Sequence, residues 1–412
     1  MAPVAVGAGP ASWDPYQRRL LVFLSVATFF EGYDFFALSQ LLPHLRGYFG
    51  LTPGEGTTLV ALVNAGTVLA YLIVDRADRW GRRRVLTVTI LGYTVFTLLS
   101  GLAPDAISFT VAQIIARIFL IGEWATSMVI AAEEFPAARR GTVIGIISAA
   151  AGLGSVVCAG VVPLLLKTPL GWRSVYLVGV IPLLLLAWSR RSLRETRRFA
   201  ERAPVARPSL FSIWSTPHAR RVLEMGAIWF LCYICSQNAV MFWKEFALNE
   251  RALSEEQAGQ AITIAALVAM PLAFASGRFL DSVGRRIGGT VLLGAMAVGV
   301  FVAYTATSAL WLTVGLVVGV VGLNTMLTVL NAFTAELFPT EHRAQAFAWS
   351  NNLIGRVGYW LSPFGIGLFV DSLGWGGVMR LTPIFPLIAI VLIWLLLPET
   401  KGRELEQTAT VK

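Results

Sequence analysis

Charge is scarce in this chain. Asp, Glu, Lys and Arg together make up 14% of its 412 residues, whereas 56% are hydrophobic. A soluble domain of that composition could not hydrate its surface, which leaves a polytopic membrane protein as the class. Histidine is scarcer still: His44, His218 and His342 form no cluster in the sequence and lie in or near loops, so no His-based metal site is expected. The three cysteines, Cys158, Cys232 and Cys235, all fall in apolar runs. Cys232 and Cys235 form a C-x-x-C, but one turn apart in an apolar helix, which reads as core packing rather than redox chemistry. Ser-His-Asp, metal-ligand and P-loop spacings are absent. An enzyme and a direct ATP-driven pump are therefore both disfavoured, and no cofactor is expected beyond a proton as coupling ion. Residues 1–17 lack a short apolar core and cleavage site, so the first apolar run should itself act as signal anchor.

What the chain does have is long apolar runs. Twelve are readable, at 20–42, 57–75, 85–103, 107–131, 142–166, 173–189, 222–247, 258–277, 289–307, 311–334, 345–369 and 378–397. Each is about 17–26 residues, enough for a helix to cross a ~30 Å hydrocarbon core. Of the 33 Lys and Arg, 25 fall on the side of the amino terminus and 6 on the other. The positive-inside rule then places both termini in the cytoplasm of a multi-pass plasma-membrane protein. The net charge of +9 reflects that topology and anionic lipid headgroups, not a nucleic-acid partner.

Two patterns recur at one offset. Asp78-Arg79-Trp80-Gly81-Arg82-Arg83 returns 203 residues later as Asp281-Ser282-Val283-Gly284-Arg285-Arg286, and Ala-Glu-Glu-Phe-Pro at 132–136 returns as Ala-Glu-Leu-Phe-Pro at 335–339. A shared offset means two copies of one unit. The expected fold is all-α, with twelve transmembrane helices in two pseudo-symmetric six-helix bundles, 20–189 and 222–397. A cytoplasmic tail (1–19), an Arg-rich linker (190–221) and a second tail (398–412) complete the chain. The repeated charges, Asp78, Arg82, Arg83, Glu133 and Arg140 with Asp281, Arg285, Arg286, Glu336 and Arg343, are expected to act as a cytoplasmic gate that latches the halves when the cavity opens outward. The plainer alternative is that the arginines only fix topology.

On these motifs the chain resembles the major facilitator superfamily. The loop after span two is similar to that family's G-x-x-x-D-R-x-G-R-R pattern, with Val74 in place of the leading glycine in the first copy. Phe-x-Gly-Tyr-Asp at 30–34, Glu-x-Phe-Pro-x-x-x-Arg-Gly at 133–141, Gly-Trp-Arg at 171–173 and Pro-Glu-Thr-Lys-Gly-Arg at 398–403 resemble the branch of sugar porters, organic-ion transporters and metabolite/proton symporters. The resemblance implies a secondary transporter. Hexose transport loses weight, because the glutamine pair of span seven and the Gly-Pro-x-x-Trp of span ten are missing.

Four ionisable residues stand out near mid-depth: Glu31, Asp34, Arg117 and Arg356. Such groups are costly in a bilayer and normally face a partner or an aqueous cavity. Counted from flanking charges at 1.5 Å per residue, Asp34 and Arg117 lie about 22 and about 24 Å from the same membrane edge, so they can meet. A carboxylate holds its proton more tightly in an apolar cleft and less tightly beside a guanidinium. Asp34, aided by Glu31 and Arg117, is therefore the candidate proton-coupling set, as the sugar-porter resemblance also implies. A static ion pair is the alternative. Arg356 has no acid at comparable depth in its own half, and its fork suits a carboxylate. It is the candidate substrate anchor, unless Asn351, Asn352 or main-chain carbonyls satisfy it. Gln237, Asn238, Tyr233, Asn331 and Tyr359 are candidates to line the same site. At the 203-residue offset Asp34, Arg117 and Arg356 match Gln237, Val320 and Leu153, so the buried charges are not duplicated. The expected activity is proton-coupled symport of a small organic anion by a monomer. A sugar or polyol symporter, an exporter of lipophilic compounds and a non-transporting sensor are the alternatives.

Overall fold

The computed structural model describes residues 14–70, 80–189 and 210–401. Fourteen α-helices occupy these residues: α1 (Pro15–Phe49), α2 (Pro53–Leu69), α3 (Arg82–Leu102), α4 (Ala106–Glu134), α5 (Ala137–Leu165), α6 (Arg173–Ser189), α7 (Ala219–Met241), α8 (Trp243–Asn249), α9 (Glu255–Val283), α10 (Arg285–Thr305), α11 (Ala309–Glu336), α12 (Thr340–Phe347), α13 (Arg356–Met379) and α14 (Ile384–Leu396). A π-helical turn, Ala348–Gly355, joins α12 to α13, and a 3₁₀ turn, Leu210–Ser215, precedes α7. Among the described residues each of the twelve expected spans falls mainly on helix; residues 71–75 of the second lie outside them. Seven helices are long and apolar enough to cross a membrane, or nine when the bent pairs α7–α8 and α9 (broken near Phe274) each count as one span. Outward-facing apolar side chains such as Val298, Leu310, Leu368 and Leu395 fit a lipid surround.

The internal repeat is written into the helix ends. Gly81 and Gly284 open α3 and α10 at φ 96° and 100°, a region that only glycine adopts without strain. Asp105 caps α4 and Ser308 caps α11, again 203 residues apart. Capping boxes, Thr52 with Glu55 and Ser254 with Gln257, start α2 and α9. Helix ends that meet lipid headgroups leave main-chain N–H groups to satisfy, so both copies keep a cap where they need one.

Packing repeats as well. In the first half α1 lies on α5, α3 on α4 and α6, and α2 on α4. In the second half α7 lies on α13, α10 on α11 and α14, and α9 on α11, which are the same pairings. The halves meet through α2 on α13 and α5 on α9, a reciprocal exchange as expected of a pseudo-two-fold axis. The matching seams identify a register change. Gly154 of α5 abuts the Phe29 carbonyl of α1, and Gly358 of α13 abuts the Phe230 carbonyl of α7. Those glycines stand 204 residues apart and the carbonyls they meet 201, against 203 for the loop motifs, and a π-helical turn precedes α13 in the second half only.

At the end of the molecule away from the chain termini, unlike charges join the halves. Arg46 Nη1 is 2.6 Å from Glu245 Oε2, Lys244 donates to the Gln40 carbonyl at 2.9 Å, and His44 Nε2 is 3.3 Å from Glu255. Lys167 pairs with Glu256 at 2.7 Å, and Gly54 N donates to Asp371 Oδ1 at 3.1 Å. Lys244 and Glu245 are fully buried, although the sequence places them near a span end.

Candidate functional site

Two helices of the first half carry charge to mid-depth. The first, α1, is set by the Asp14 cap and Pro15 at one end and by left-handed Gly50 at the other. It places Glu31 and Asp34 one turn apart, both inside the protein. Asp34 is buried, and Glu31 Oε2 is buried with no hydrogen-bond partner. The second, α4, is held by Asp105 Oδ1, which accepts from the N–H groups of Ile107 and Ser108 at 2.9 Å each. These bonds, with the Ser108 hydroxyl, hold the exposed Asp105 carboxyl below its ordinary range. Arg117 of α4 is only 2% exposed, yet neither terminal guanidinium nitrogen has a hydrogen-bond partner. The guanidinium carbon stands 4.6 Å from the Phe35 ring centroid. Gly66 of α2 permits this approach, since a Cβ there would crowd Arg117 Cβ and the Ile114 carbonyl. Asp34 and Arg117 feel each other's charge, but no ion pair links them.

From the second half comes Arg356, the first residue of α13, delivered by the π-helical turn. Its Nε is buried without a partner. Asn351, one of the residues that could have satisfied it, instead accepts from the Tyr233 hydroxyl at 2.9 Å. Tyr233 stacks on Trp229 (5.4 Å between centroids) and sits 6.2 Å from the Tyr359 ring. Tyr233 lies in the field of Arg356, and Tyr359, whose hydroxyl has no partner, lies in the fields of both Arg117 and Arg356. Glu31 feels Glu123, Arg117 and Arg356. The acid whose field reaches Arg356 thus lies in the other half, without contact between them.

The remaining candidates divide. Asn238 donates to Ser362 Oγ at 2.6 Å and to the Ile234 carbonyl at 2.8 Å, so its amide ties α7 to α13. Asn331 lies on the accessible face of α11. The Gln237 side chain lies outside the described residues. So do Asp78 and the Arg140 side chain. Of the other gate candidates, Arg82 grips Glu133 with two bonds of 3.0 and 3.2 Å. Its repeat Arg285 grips Glu336 at 2.7 Å and Asp281 at 2.7 Å. Arg286 donates from Nε to the Leu397 carbonyl at 2.6 Å, and Arg343 donates to the Phe338 carbonyl at 3.4 Å. Arg83 is exposed. Glu399 accepts from the N–H groups of Arg285 and Arg286. Burial alone would raise the Glu399 carboxyl, but these bonds and those from Lys401 and Thr400 outweigh it and hold it below the usual range.

Sequence reasoning missed one buried acid. Glu123 of α4 is 2% exposed and accepts from the Ser127 hydroxyl at 2.7 Å. Its position six residues past Arg117, between Gly122 and Trp124 in an apolar run, was the available signal.

A family model described as Major Facilitator Superfamily matches residues 24–355 and 230–412. The chain is 28% identical to the probable 4-methylmuconolactone transporter of Cupriavidus pinatubonensis, over 95% of this chain and 93% of that one. It is 23% identical to the putative niacin/nicotinamide transporter NiaP of Bacillus subtilis, over 95% and 98%. Among solved structures, the inward open form of the xylose transporter XylE from E. coli superposes with a TM-score of 0.77 at 18% identity, covering 95% of this chain and 98% of that one. With the repeated packing and the unpaired charges at mid-depth, these matches make the chain a multi-pass membrane transport protein, not an enzyme, and it belongs to the Major Facilitator Superfamily.

Proposed function

We propose that this chain is a proton-coupled symporter of small organic anions, carboxylates or aromatic acids. The observation that carries the reading is Arg356, a guanidinium at mid-depth that no side chain among the described residues neutralises by contact. A cation so placed favours a carboxylate, and the aromatic flank of Tyr233 and Tyr359 suits a planar one. The relatives named for 4-methylmuconolactone and niacin support the same class. Asp34, helped by Glu31 and Arg117, carries the proton, which offsets the charge of an anion entering against an inside-negative potential. Both termini are cytoplasmic, in the plasma membrane. The bodies 20–189 and 222–397 rock about the site as a monomer, with the Arg82–Glu133 and Arg285–Glu336 clusters at the cytoplasmic gate.

The test is thermal stability in detergent with benzoate, nicotinate, gallate, xylose or tetraphenylphosphonium. A ligand at a hundred times its Kd stabilises the native state by about 2.7 kcal/mol. One of the carboxylates should raise the melting temperature of wild type and not of Arg356→Ala. If xylose or the cation stabilises both proteins and no carboxylate does, the substrate class is wrong.

A further inference from the structure

Glu123 has no place in the mechanism so far, yet it is as buried as Arg117 and bonds only to a hydroxyl, Ser127 Oγ. No described cation pairs with it. Its surroundings point to Glu31. Phe30 of α1 packs in one cluster with Phe119, Leu120 and Ile121 of α4, Tyr93 of α3 and Ala116. That seam sets residues 30 and 31 beside the turn that leads to Glu123. The Tyr93 hydroxyl donates to the Phe30 carbonyl at 3.3 Å and lies in the fields of both Glu31 and Glu123. Glu31, in turn, feels Glu123 ahead of any cation.

We propose that Glu31 and Glu123 form a two-carboxylate couple that holds one exchangeable proton, and that Glu123 is a second proton-carrying residue of the transporter. The proposal rests on the proton-coupled reading above and specifies where that proton resides. Two carboxylates in each other's field on packed helices in an apolar interior do not both remain ionised without a cation between them. The charged groups facing the couple are Arg117 on the same helix as Glu123, Asp34 on the same helix as Glu31, and Arg356 from α13, with Tyr93 from α3. With all five charged groups ionised the set carries one net negative charge, and one proton makes it neutral. A carboxylate bound at Arg356 screens the field that this guanidinium exerts on Glu31. The anion and the proton are then taken up together, and binding of each favours the other by linkage.

The experiment is infrared difference spectroscopy of the full chain in lipid bilayers, read at the C=O stretch of protonated side-chain carboxyls as buffer pH is lowered. Wild type should show a band that grows with acidification. Glu123→Gln and Glu31→Gln each leave a single acid without its like-charged neighbour, so each should move the midpoint of that band by about one pH unit or more. If Glu123→Gln titrates with the amplitude and midpoint of wild type, the couple does not exist. Should that variant fail to fold, Glu123→Asp and Ser127→Ala read the same band, and an unmoved midpoint in both overturns the proposal. Acid-driven benzoate uptake into liposomes separates the two levels. Wild type without acid-driven uptake sinks proton coupling itself, and the proposal with it. Intact uptake with an unmoved band sinks only the couple.

Discussion

The two halves of this molecule agree on how to pack and disagree on what to carry. Both open their third span at a glycine with positive φ, Gly81 and Gly284, and cap their fourth at Asp105 and Ser308. Both fasten a loop arginine to a glutamate, Arg82 to Glu133 and Arg285 to Glu336. At mid-depth the likeness ends. The first half holds Glu31, Asp34, Arg117 and Glu123, whereas the second holds Arg356 among tyrosines and a tryptophan. Main-chain groups in a bilayer must be satisfied in every copy, so caps and seams resist change. A side chain facing the interior between the halves has no such constraint and is free to differ. The π-helical turn belongs to this second category. It adds a residue to one half only and thereby sets the direction in which Arg356 faces.

Removing that residue breaks the comparison most sharply. Deleting Asn352 should restore α-helical register through the turn and rotate the two sides of the helix by about 100° relative to each other. The protein is expected to fold, because the first half manages the same seam without the insertion. All carboxylate-dependent stabilisation should be lost. A variant that still responds to carboxylates as wild type does would show that the π turn has no part in placing Arg356.

The second effect concerns the end away from the termini, where the halves are held by unlike groups rather than by copies. Glu245 is fully buried against Arg46, with help from Asn249 at 2.7 Å. Removing one partner of a buried pair costs about 3–5 kcal/mol, while replacing both by apolar residues is often neutral. Arg46→Ala should therefore lower the melting temperature strongly, and Arg46→Met with Glu245→Leu should recover most of it. Were Arg46→Ala to melt like wild type, this pair would not be a clamp between the halves.

Much of this was legible beforehand for a physical reason. Hydropathy and loop charge mark spans because the bilayer imposes a length, and the paired motifs mark the repeat because both copies need the same loop geometry. Arg82, Glu133, Arg285 and Glu336 were visible as members of two motifs sharing one offset, but their pairing was not. Depth counting found Glu31, Asp34, Arg117 and Arg356, but it could not say that Arg356 feels Glu31 across the halves, since nothing in a linear count relates span one to span eleven. Glu123 was overlooked because it sits in the same apolar run as Arg117 and was read with the helix, not as a charge. Lys244 and Glu245 were assigned to a span end, where charges are ordinary. They lie on α8, which is bent by 43° from α7. The π turn at Ala348–Gly355 lies beyond both repeated motifs, so their shared offset could not reveal it.

The smallest effect tests whether the two seams are equivalent. An alanine in place of glycine in a helix gains up to about 1 kcal/mol from propensity alone. Gly160, with open space around its would-be Cβ, should show that gain. At Gly154 the new Cβ would overlap the Phe29 carbonyl, and at Gly358 it would overlap the Phe230 carbonyl. Main-chain oxygens in packed helices cannot swing aside as a side-chain end can, so the helices must part, and overpacking of this kind costs about 1–3 kcal/mol. The clash outweighs the propensity at both sites. Gly154→Ala and Gly358→Ala should lower the melting temperature by similar amounts while Gly160→Ala raises it slightly. A loss at Gly154 with none at Gly358 would mean that the π turn, by loosening the second seam, lets α13 yield where α5 cannot, and the likeness of the halves would then stop at their helix caps.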